Sequence, residues 1–379
     1  MENKKVKKFH LLPLAMLFTT VAVAAEPAFL ATEQHKLKID TVATGLSHPW
    51  GLAFLPDGRL LVTERDGTLR YVDNGKLSEP VGGLPKIAVG GQGGLLDVML
   101  DKDFASNQIL YLSFSEPGKD DSNSTAVLSA KLSGNMLTDS KVLFSQQPKF
   151  NSKYHFGGRL AQQADGAIFV TLGDRGSRRE DVQPLSTHIG KVVRVMPDGT
   201  PAANNPFIAD KTAKAEVWSN GHRNIQGATL DAQGRLWTHE HGPQGGDEIN
   251  ITVAGKNYGW PLITYGEEYG GGVIGKTQAP GLEQPLHYWV PSIAPSGMTF
   301  YQQAGVDQPM FAKWQHNLLV GSLKFGQLVR LEIKDDKVVH EERIRIGSRV
   351  RDVEVAPDGS VYLLTDEDNG AILRLTPAQ

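Results

Sequence analysis

The sequence predicts an all-β fold and, more narrowly, a six-bladed β-propeller. One strand–turn–strand unit recurs six times along the chain. Glycine accounts for 41 of the 379 residues, an enrichment that is typical of chains with many tight turns. Helical periodicity is scarce beyond the N-terminus. Six units of three or four strands fit a propeller, whereas the alternative, a sandwich or barrel, would not require six copies of one hairpin.

The N-terminal 25 residues are predicted to be a secretory signal peptide. Four lysines between Lys4 and Lys8 precede an apolar run over 11–23, and the small residues Ala22 and Ala24 fit a signal peptidase site. The run is too short for a stable membrane span, although an N-terminal anchor is the alternative. Residues 1–25 are therefore expected to be removed. Residues 26–379 are expected to form a single propeller domain, periplasmic or secreted, with no membrane span.

Each repeat combines an apolar strand, a glycine turn and a second strand that ends in Thr or Ser. The clear copies lie at 51–63, 158–171, 227–238 and 350–365, and the looser copies lie at 94–113 and 297–322. In the turn Pro56-Asp57-Gly58, the proline presets φ at the first corner and the glycine accepts the positive φ that follows. The long intervals between some copies predict inserted loops on one face, where functional groups are expected.

Composition excludes several classes of function. The chain has no cysteine, which rules out thiolate metal sites, thiol nucleophiles and CxxC redox chemistry. Any redox function must therefore use a bound cofactor as its electron carrier. The formal net charge is −3 and there is no basic stripe, so nucleic-acid binding is not expected.

Two blade entrances carry candidate polar groups. His155 precedes two glycines at the start of the third unit, and its imidazole has a pKa suited to accepting a proton near neutral pH. Gln92 is the one functional side chain in the glycine-rich run 90–94, where bare backbone allows a ligand to approach closely. A structural hydrogen bond for His155 and a plain loop for 90–94 are the alternatives.

Several cations stand at equivalent places in different repeats. Arg223 and Asn224 open the fourth unit, Lys324 follows the second strand of the fifth, and Arg349 and Arg351 enter the sixth. Arginine can fork onto a carboxylate, and asparagine can hydrogen-bond a carbonyl. If these side chains converge on one channel, they predict a ligand with several negative charges. Any one of the basic residues alone could be an ordinary exposed cation.

The segment 240–250 is the densest in polar groups. Its carboxylates and free carbonyls in a glycine-rich loop suit Ca²⁺, a hard cation that prefers oxygen ligands. His239 and His241 lack a third ligand at the spacing that zinc sites use. The run 173–176 is followed by neither a helix nor GK[ST], which argues against a phosphate loop. No G-x-S-x-G elbow is present, which argues against a common serine hydrolase.

Taken in order, seven segments resemble the soluble glucose/aldose sugar dehydrogenases that depend on pyrroloquinoline quinone (PQQ). The matching segments are HPWGLAFLPDG (48–58), GQGGLLDV (91–98), HFGGRL (155–160), GHRNIQG (221–227), EHGPQGGDEIN (240–250), NYGWP (257–261) and RVRDV (349–353). They span essentially the whole predicted mature chain. The resemblance implies a six-bladed propeller, in agreement with the repeat count.

The resemblance also implies roles for individual residues. His155 matches the general base that takes the proton of the anomeric hydroxyl, and Gln92 matches a residue of the substrate and cofactor pocket. The residues that match cofactor-binding positions are Arg223, Asn224, Lys324, Arg349 and Arg351, with Tyr269 as a further pocket residue in the aldose sugar branch. The carbonyls of Gly242 and Pro243 match ligands of a catalytic Ca²⁺. Glu248 and the Tyr258 carbonyl match ligands of a second, structural Ca²⁺.

The implied reaction is oxidation of an aldose at C1 to a lactone, with hydride transfer to PQQ and reoxidation by an external electron acceptor. Two departures, Tyr154 where the glucose enzymes carry Asp and His241 where they carry Gln, favour the broader aldose sugar branch. Two other functions stay open from the residues alone. One is a propeller lactonase with a single divalent metal, and the other is a non-catalytic propeller that binds a glycan or protein.

Overall fold

The computed structural model describes residues 27–303 and 306–378. The predicted signal peptide, 1–25, lies outside the described residues. Six sheets make up the fold. Over the described ranges, helical structure is confined to α1 (Phe104–Asn107) and two 3₁₀ turns, Arg179–Asp181 and Ala312–Trp314. None of the helices in this part of the chain is long and apolar enough to cross a membrane.

Every blade is a small antiparallel sheet. The strands that form blades 1 to 3 are β3 (Pro49–Phe54), β4 (Leu60–Glu64), β5 (Thr68–Asp73), β6 (Lys76–Leu77), β7 (Leu95–Leu100), β8 (Ile109–Pro117), β9 (Asn123–Ser133), β10 (Met136–Ser145), β11 (Leu160–Gln162), β12 (Ile168–Thr171), β13 (Lys191–Val195) and β14 (Val217–Asn220). The strands of blades 4 and 5 are β15 (Ile225–Leu230), β16 (Leu236–Glu240), β17 (Asp247–Ile251), β18 (His287–Trp289), β19 (Pro295–Phe300), β20 (Leu318–Ser322), β21 (Gln327–Lys334) and β22 (Lys337–Arg345). Blade 6 contains β1 (Ala28–Ala31), β2 (Lys36–Leu46), β23 (Val350–Val355), β24 (Val361–Thr365) and β25 (Gly370–Pro377).

The six sheets close into a ring. The first strand of each blade contacts the first strand of the next, in the order β3, β7, β11, β15, β19, β23 and back to β3. Each of these strands lies at the start of one predicted repeat, and the strand after it is the predicted second strand. The sequence prediction of a six-bladed β-propeller is therefore confirmed.

The ring is locked by the two ends of the chain. Strand β2 pairs antiparallel with β25, with Leu37 opposite Pro377 and Leu46 opposite Gly370, and thus supplies the fourth strand of blade 6. Strand β1 adds a fifth strand at the outer edge. The repeat pattern did not predict this pairing. It means that each of the six sheets has an outer strand and that the two ends of the chain are joined by hydrogen bonds within one blade.

Blade geometry places the functional loops on one face. Because the first two strands of each blade are antiparallel, the residues before the first strand lie beside those after the second. His155 and Asn224 belong to segments that precede β11 and β15, whereas Asp174 and Lys324 follow β12 and β20. Residues distant in sequence therefore meet at the same mouth of the central channel.

Candidate active site

A cavity of about 420 Å³ opens at this mouth of the channel. Its lining residues are Trp50, Arg65, Gln92, Phe156, Gly157, Asn224, Gln226, His241, Ala294, Leu323, Lys324, Arg349, Arg351 and Asp366. The structure thus brings together five of the predicted site residues, Gln92, Asn224, Lys324, Arg349 and Arg351. They come from four different blades or blade connections, which explains why no single sequence motif contains them.

His155 lies beside this cavity and is paired with a carboxylate. Its Nδ1 is 2.6 Å from Asp174 Oδ1, and Asp174 is held in turn by Trp260 Nε1 at 2.9 Å and the Gly176 amide at 2.7 Å. Because an ionised carboxylate only accepts hydrogen bonds, Nδ1 is the protonated nitrogen of the neutral ring. The other nitrogen, Nε2, is therefore left with a free lone pair that can accept a proton.

The environment keeps this histidine neutral. Burial lowers the pKa of His155, and the hydrogen bond and negative charge of Asp174 offset only part of that effect. Burial alone would raise the pKa of Asp174, but the hydrogen bond and charge of His155 and the charge of Arg223 hold it below its usual value. At neutral pH the pair is therefore imidazole and carboxylate, the protonation state that a general base requires.

The loop that carries His155 is fixed from several sides. The His155 amide donates to Gln92 Oε1 at 2.7 Å. His155 adopts a φ of +51°, a left-handed conformation that is uncommon for a residue with a side chain. A Cβ on Gly173 would lie 2.2 Å from the His155 carbonyl oxygen. Arg175 donates to the carbonyls of Tyr154 and Ser152 at 2.7 and 3.0 Å. These contacts hold the imidazole in one place before any ligand binds.

We expect Asp174→Asn to lower kcat by about 10²-fold, since an aspartate that orients a catalytic histidine contributes through tautomer and position. An asparagine can donate to Nδ1 and leave the proton on Nε2, where it blocks proton acceptance. Loss of the Asp174 charge would also move the acid limb of the kcat–pH profile to lower pH, since that charge raises the His155 pKa. Steady-state kinetics from pH 5 to 9 test this; an unchanged profile would contradict the assigned pairing.

Hydrogen bonds with Asp247 and Arg223 hold the predicted calcium loop, 240–250, in place. Asp247 Oδ1 accepts from the Gly242 amide at 3.0 Å, and Oδ2 accepts from the amides of Ile293 and Ala294 at 2.8 and 3.0 Å. Arg223 donates to the Gly242 carbonyl at 2.8 Å. The Asp247 carboxylate is thus occupied by backbone amides, and the Arg223 guanidinium lies against the loop, outside the residues that line the cavity.

A second small cavity, of about 10 Å³, lies behind this loop. Its walls include Glu240, Glu248 and Tyr258, and Glu240 accepts a hydrogen bond from His222 Nδ1 at 2.9 Å. Burial, together with the charge of Glu240, raises the pKa of Glu248 well above its usual value. The buried Glu240 and the partly buried Glu248 therefore share a space in which a positive charge would be stabilising.

Purely side-chain metal sites are not found in the described ranges, where no group of three or more His, Asp or Glu side chains has the geometry to hold an ion. Any cation at the predicted positions would therefore depend on backbone carbonyls as well as on Glu248. Pro243 lines a neighbouring hollow that it shares with Tyr269 and Lys324. Tyr269 itself is 72% exposed and lies beside the main cavity instead of within its walls.

The sequence analysis missed four residues of this site. Trp50 lines the cavity, Arg65 and Asp366 line it from the neighbouring blades 1 and 6, and Asp174 holds His155. Arg65, Asp174 and Asp366 all lie within three residues after the second strand of a repeat, as Lys324 does. A search for charged residues directly after each second strand would have included all three.

Comparisons with known proteins agree with this architecture. Residues 46–374 match the sequence family described as glucose/sorbosone dehydrogenase. The chain is 42% identical over 381 residues to the aldose sugar dehydrogenase YliI of Escherichia coli, covering 98% of this chain and 99% of that protein. A solved glucose dehydrogenase superposes with a TM-score of 0.85 at 45% identity, over 90% of this chain and 99% of its own. The PQQ-bound form of an aldose sugar dehydrogenase from Streptomyces coelicolor superposes with a TM-score of 0.72 at 29% identity, over 90% and 99% of the two chains.

Proposed function

The chain belongs to the glucose/sorbosone dehydrogenase family, and we propose that it oxidises aldose sugars at C1 to lactones with PQQ as its bound electron carrier. The observation that carries the proposal is the His155–Asp174 pair beside a cavity lined by four cationic side chains. A neutral, oriented base next to an anion-binding cavity is what removal of a hydroxyl proton beside a tricarboxylate cofactor requires. The relatives named for aldose sugars and glucose support the substrate class.

The cavity suits PQQ by the chemistry of its walls. Arg65, Lys324, Arg349 and Arg351 supply positive charge for the three carboxylates, while Asn224 and Gln92 supply amides for carbonyl groups. The PQQ-bound form of the Streptomyces relative supports the same cofactor here. When bound, PQQ supplies the hydride acceptor and Ca²⁺ supplies a Lewis acid.

The predicted calcium positions also fit by their donors. Glu248 lies beside a second carboxylate in a small buried cavity, which favours a hard cation with the Tyr258 carbonyl as a further ligand. At the proposed catalytic calcium position, a Cβ at residue 242 would lie 2.1 Å from the Gly245 carbonyl oxygen. This position therefore requires glycine. We propose the Gly242 and Pro243 carbonyls as ligands of a catalytic Ca²⁺.

The protein's own chemical step is then proton removal. His155 Nε2 takes the proton of the sugar C1 hydroxyl, and the resulting positive charge on the imidazole is stabilised by Asp174 through Nδ1. Gln92 keeps the His155 backbone in place through its amide hydrogen bond. The lowered pKa of His155 favours the base form at neutral pH. We further propose a periplasmic or secreted location, on the basis of the predicted signal peptide at 1–25. An external electron acceptor completes the cycle.

Two competing functions fit the site less well. A lactonase with a single divalent metal needs neither four cavity cations nor a histidine free at Nε2. A glycan-binding propeller needs no oriented base. The family match is also to dehydrogenases. Both alternatives predict that PQQ has no effect on the protein.

The proposal is tested by reconstitution of the purified protein with PQQ and Ca²⁺, followed by dye reduction with a panel of aldoses. We expect activity only with both cofactors, and a fall of about 10²-fold or more when EGTA removes the metal, because Lewis-acid stabilisation contributes several kcal/mol. Excess Ca²⁺ should restore the dye-reduction activity. Hydrolysis of lactones without PQQ would favour the lactonase, and absence of PQQ binding would favour the binding propeller.

A further inference from the structure

Arg65 reaches the cavity from the end of β4 and is held there by its backbone. Its amide donates to the His48 carbonyl at 3.1 Å. A Cβ on Gly94 would lie 1.7 Å from the Arg65 carbonyl oxygen, so only glycine allows this approach. Within the described ranges the Arg65 guanidinium makes no hydrogen bond; its nearest carboxylate oxygen, Asp366 Oδ1, is 3.6 Å away. Its N–H donors are therefore available to a ligand.

Asp366 is a shared partner for the cations around it. Its Oδ2 accepts from Arg351 at 3.0 Å and from Arg349 at 3.2 Å, and its Oδ1 lies 2.8 Å from His48 Nδ1. The carboxylate is 4% exposed. Burial would raise the pKa of Asp366, but the charges of Arg351 and Arg65 hold it far below its usual value. One ionised carboxylate therefore fixes the direction of two arginines, Arg349 and Arg351, through hydrogen bonds.

The side chains that line the cavity carry a net positive charge. Four cations, Arg65, Lys324, Arg349 and Arg351, face one carboxylate, which leaves three positive charges unpaired. Without Arg65, the side chains that line the cavity would retain two unpaired positive charges, fewer than the three carboxylates of the ligand.

We propose that Arg65 is a further binding residue for a carboxylate of the anionic cofactor, and that Asp366 is the positioning residue that directs Arg349 and Arg351 into the cavity. The inference rests on the proposed function, since it takes PQQ as the ligand. A guanidinium with free N–H groups and no hydrogen-bonded partner suits a fork onto a carboxylate. Asp366 contacts only the protein's own cations and His48 among the described residues, and it acts through them.

The test measures equilibrium binding of PQQ to Arg65→Gln by quenching of tryptophan fluorescence. We expect a Kd about 10- to 100-fold higher than that of the native protein, the range for loss of a charge-assisted contact, and a shallower dependence on salt. Arg374→Gln is the matched control, because it removes the same charge from an exposed pair with Asp358, and its Kd should not change.

Three PQQ monomethyl esters distinguish a contact from a general charge effect. In the native protein each ester should bind more weakly than PQQ. In Arg65→Gln, one of the three should bind no more weakly than PQQ itself, because its missing charge is the one that Arg65 contacts. Native-like PQQ affinity in Arg65→Gln, or equal losses for all three esters, would overturn the role of Arg65. Failure of the native protein to bind PQQ would instead overturn the proposed function.

Asp366→Asn tests the positioning role through thermal unfolding with and without PQQ. We expect the melting temperature of the free variant to fall and the increase on PQQ binding to be smaller than in the native protein, because the arginines that Asp366 holds toward the cavity would no longer be fixed in that direction. Asp366→Glu should restore part of both. An equal PQQ-dependent increase in all three proteins would show that Asp366 has a structural role only.

Discussion

His155→Asn is expected to lower kcat by about 10²- to 10⁴-fold, the range for loss of a general base, with PQQ affinity within a few-fold of native. Asparagine is the appropriate replacement because it tolerates the φ of +51° at this position but cannot accept a proton at neutral pH. Dye-linked kinetics of the reconstituted enzyme measure kcat, and fluorescence titration measures PQQ binding.

His340→Ala is the matched control. His340 is an exposed histidine on β22 that pairs with Glu33, a residue outside the cavity, so its loss should leave kcat unchanged. A His155 variant with native kcat would show that another group takes the proton. A variant that loses PQQ binding in parallel with kcat would indicate a role in holding the cofactor instead.

The pH profile provides a second test of the same residue. Burial lowers the pKa of His155 below 6.5, so the acid limb of kcat for the native enzyme should lie below pH 6.5 and be absent in His155→Asn. Protonation of the base at lower pH removes the lone pair on Nε2, so the rate falls as pH falls. An acid limb above pH 7 would contradict the buried, neutral imidazole.

The fold was largely predictable because the repeat is local. Each hairpin joins two strands through a short turn, and Gly58 and Gly359 take φ values of +88° and +86° in turns that the sequence identifies. The pairing of β2 with β25 was not predictable in this way. Leu37 and Pro377 are separated by almost the whole chain, and the segment 36–46 lacks the repeated motif, so nothing local indicates its partner.

The sequence located the site residues that lie at or just before the first strand of a blade. It located fewer of the residues that follow a second strand. Asn224 and Arg351 lie close to conspicuous motifs and were found, whereas Asp174 follows a second strand in a run that was considered only as a phosphate loop. The position of Tyr269 depends on an inserted loop with three successive glycines at 270–272, whose path no repeat constrains. Sequence patterns therefore locate residues relative to strands but not along inserted loops.

Beneath the cavity, Arg159 joins several blades through charges in the channel. It is 4% exposed, lies 2.8 Å from Asp352 Oδ1 and 3.2 Å from Asp97 Oδ1, and donates to the Gln226 carbonyl at 2.9 Å. Its guanidinium also stacks on Trp50, with 4.1 Å between its central carbon and the ring centre. One side chain of blade 3 thus contacts blades 1, 2, 4 and 6.

Arg159→Leu is therefore expected to destabilise the fold by about 3–5 kcal/mol, because removal of one partner leaves buried carboxylates uncompensated. Urea unfolding followed by far-ultraviolet circular dichroism measures the free energy of unfolding. Arg374→Leu, which breaks an exposed ion pair, should cost less than about 1 kcal/mol. Equal unfolding midpoints for the native protein and Arg159→Leu would show that the channel charges do not stabilise the ring.

The loss should also depend on pH in a defined direction. Burial raises the pKa of Asp97 to about 6, although the charge of Arg159 opposes the rise. A carboxyl whose pKa is raised on folding stabilises the folded state at low pH and loses that contribution as pH increases through the folded value. Without Arg159 the pKa values of Asp97 and Asp352 would rise further. The stability difference between the native protein and Arg159→Leu should therefore be small near pH 4 and widen above pH 6, and a difference that stays constant from pH 4 to 8 would mean that lost packing on Trp50, and not charge, accounts for the effect.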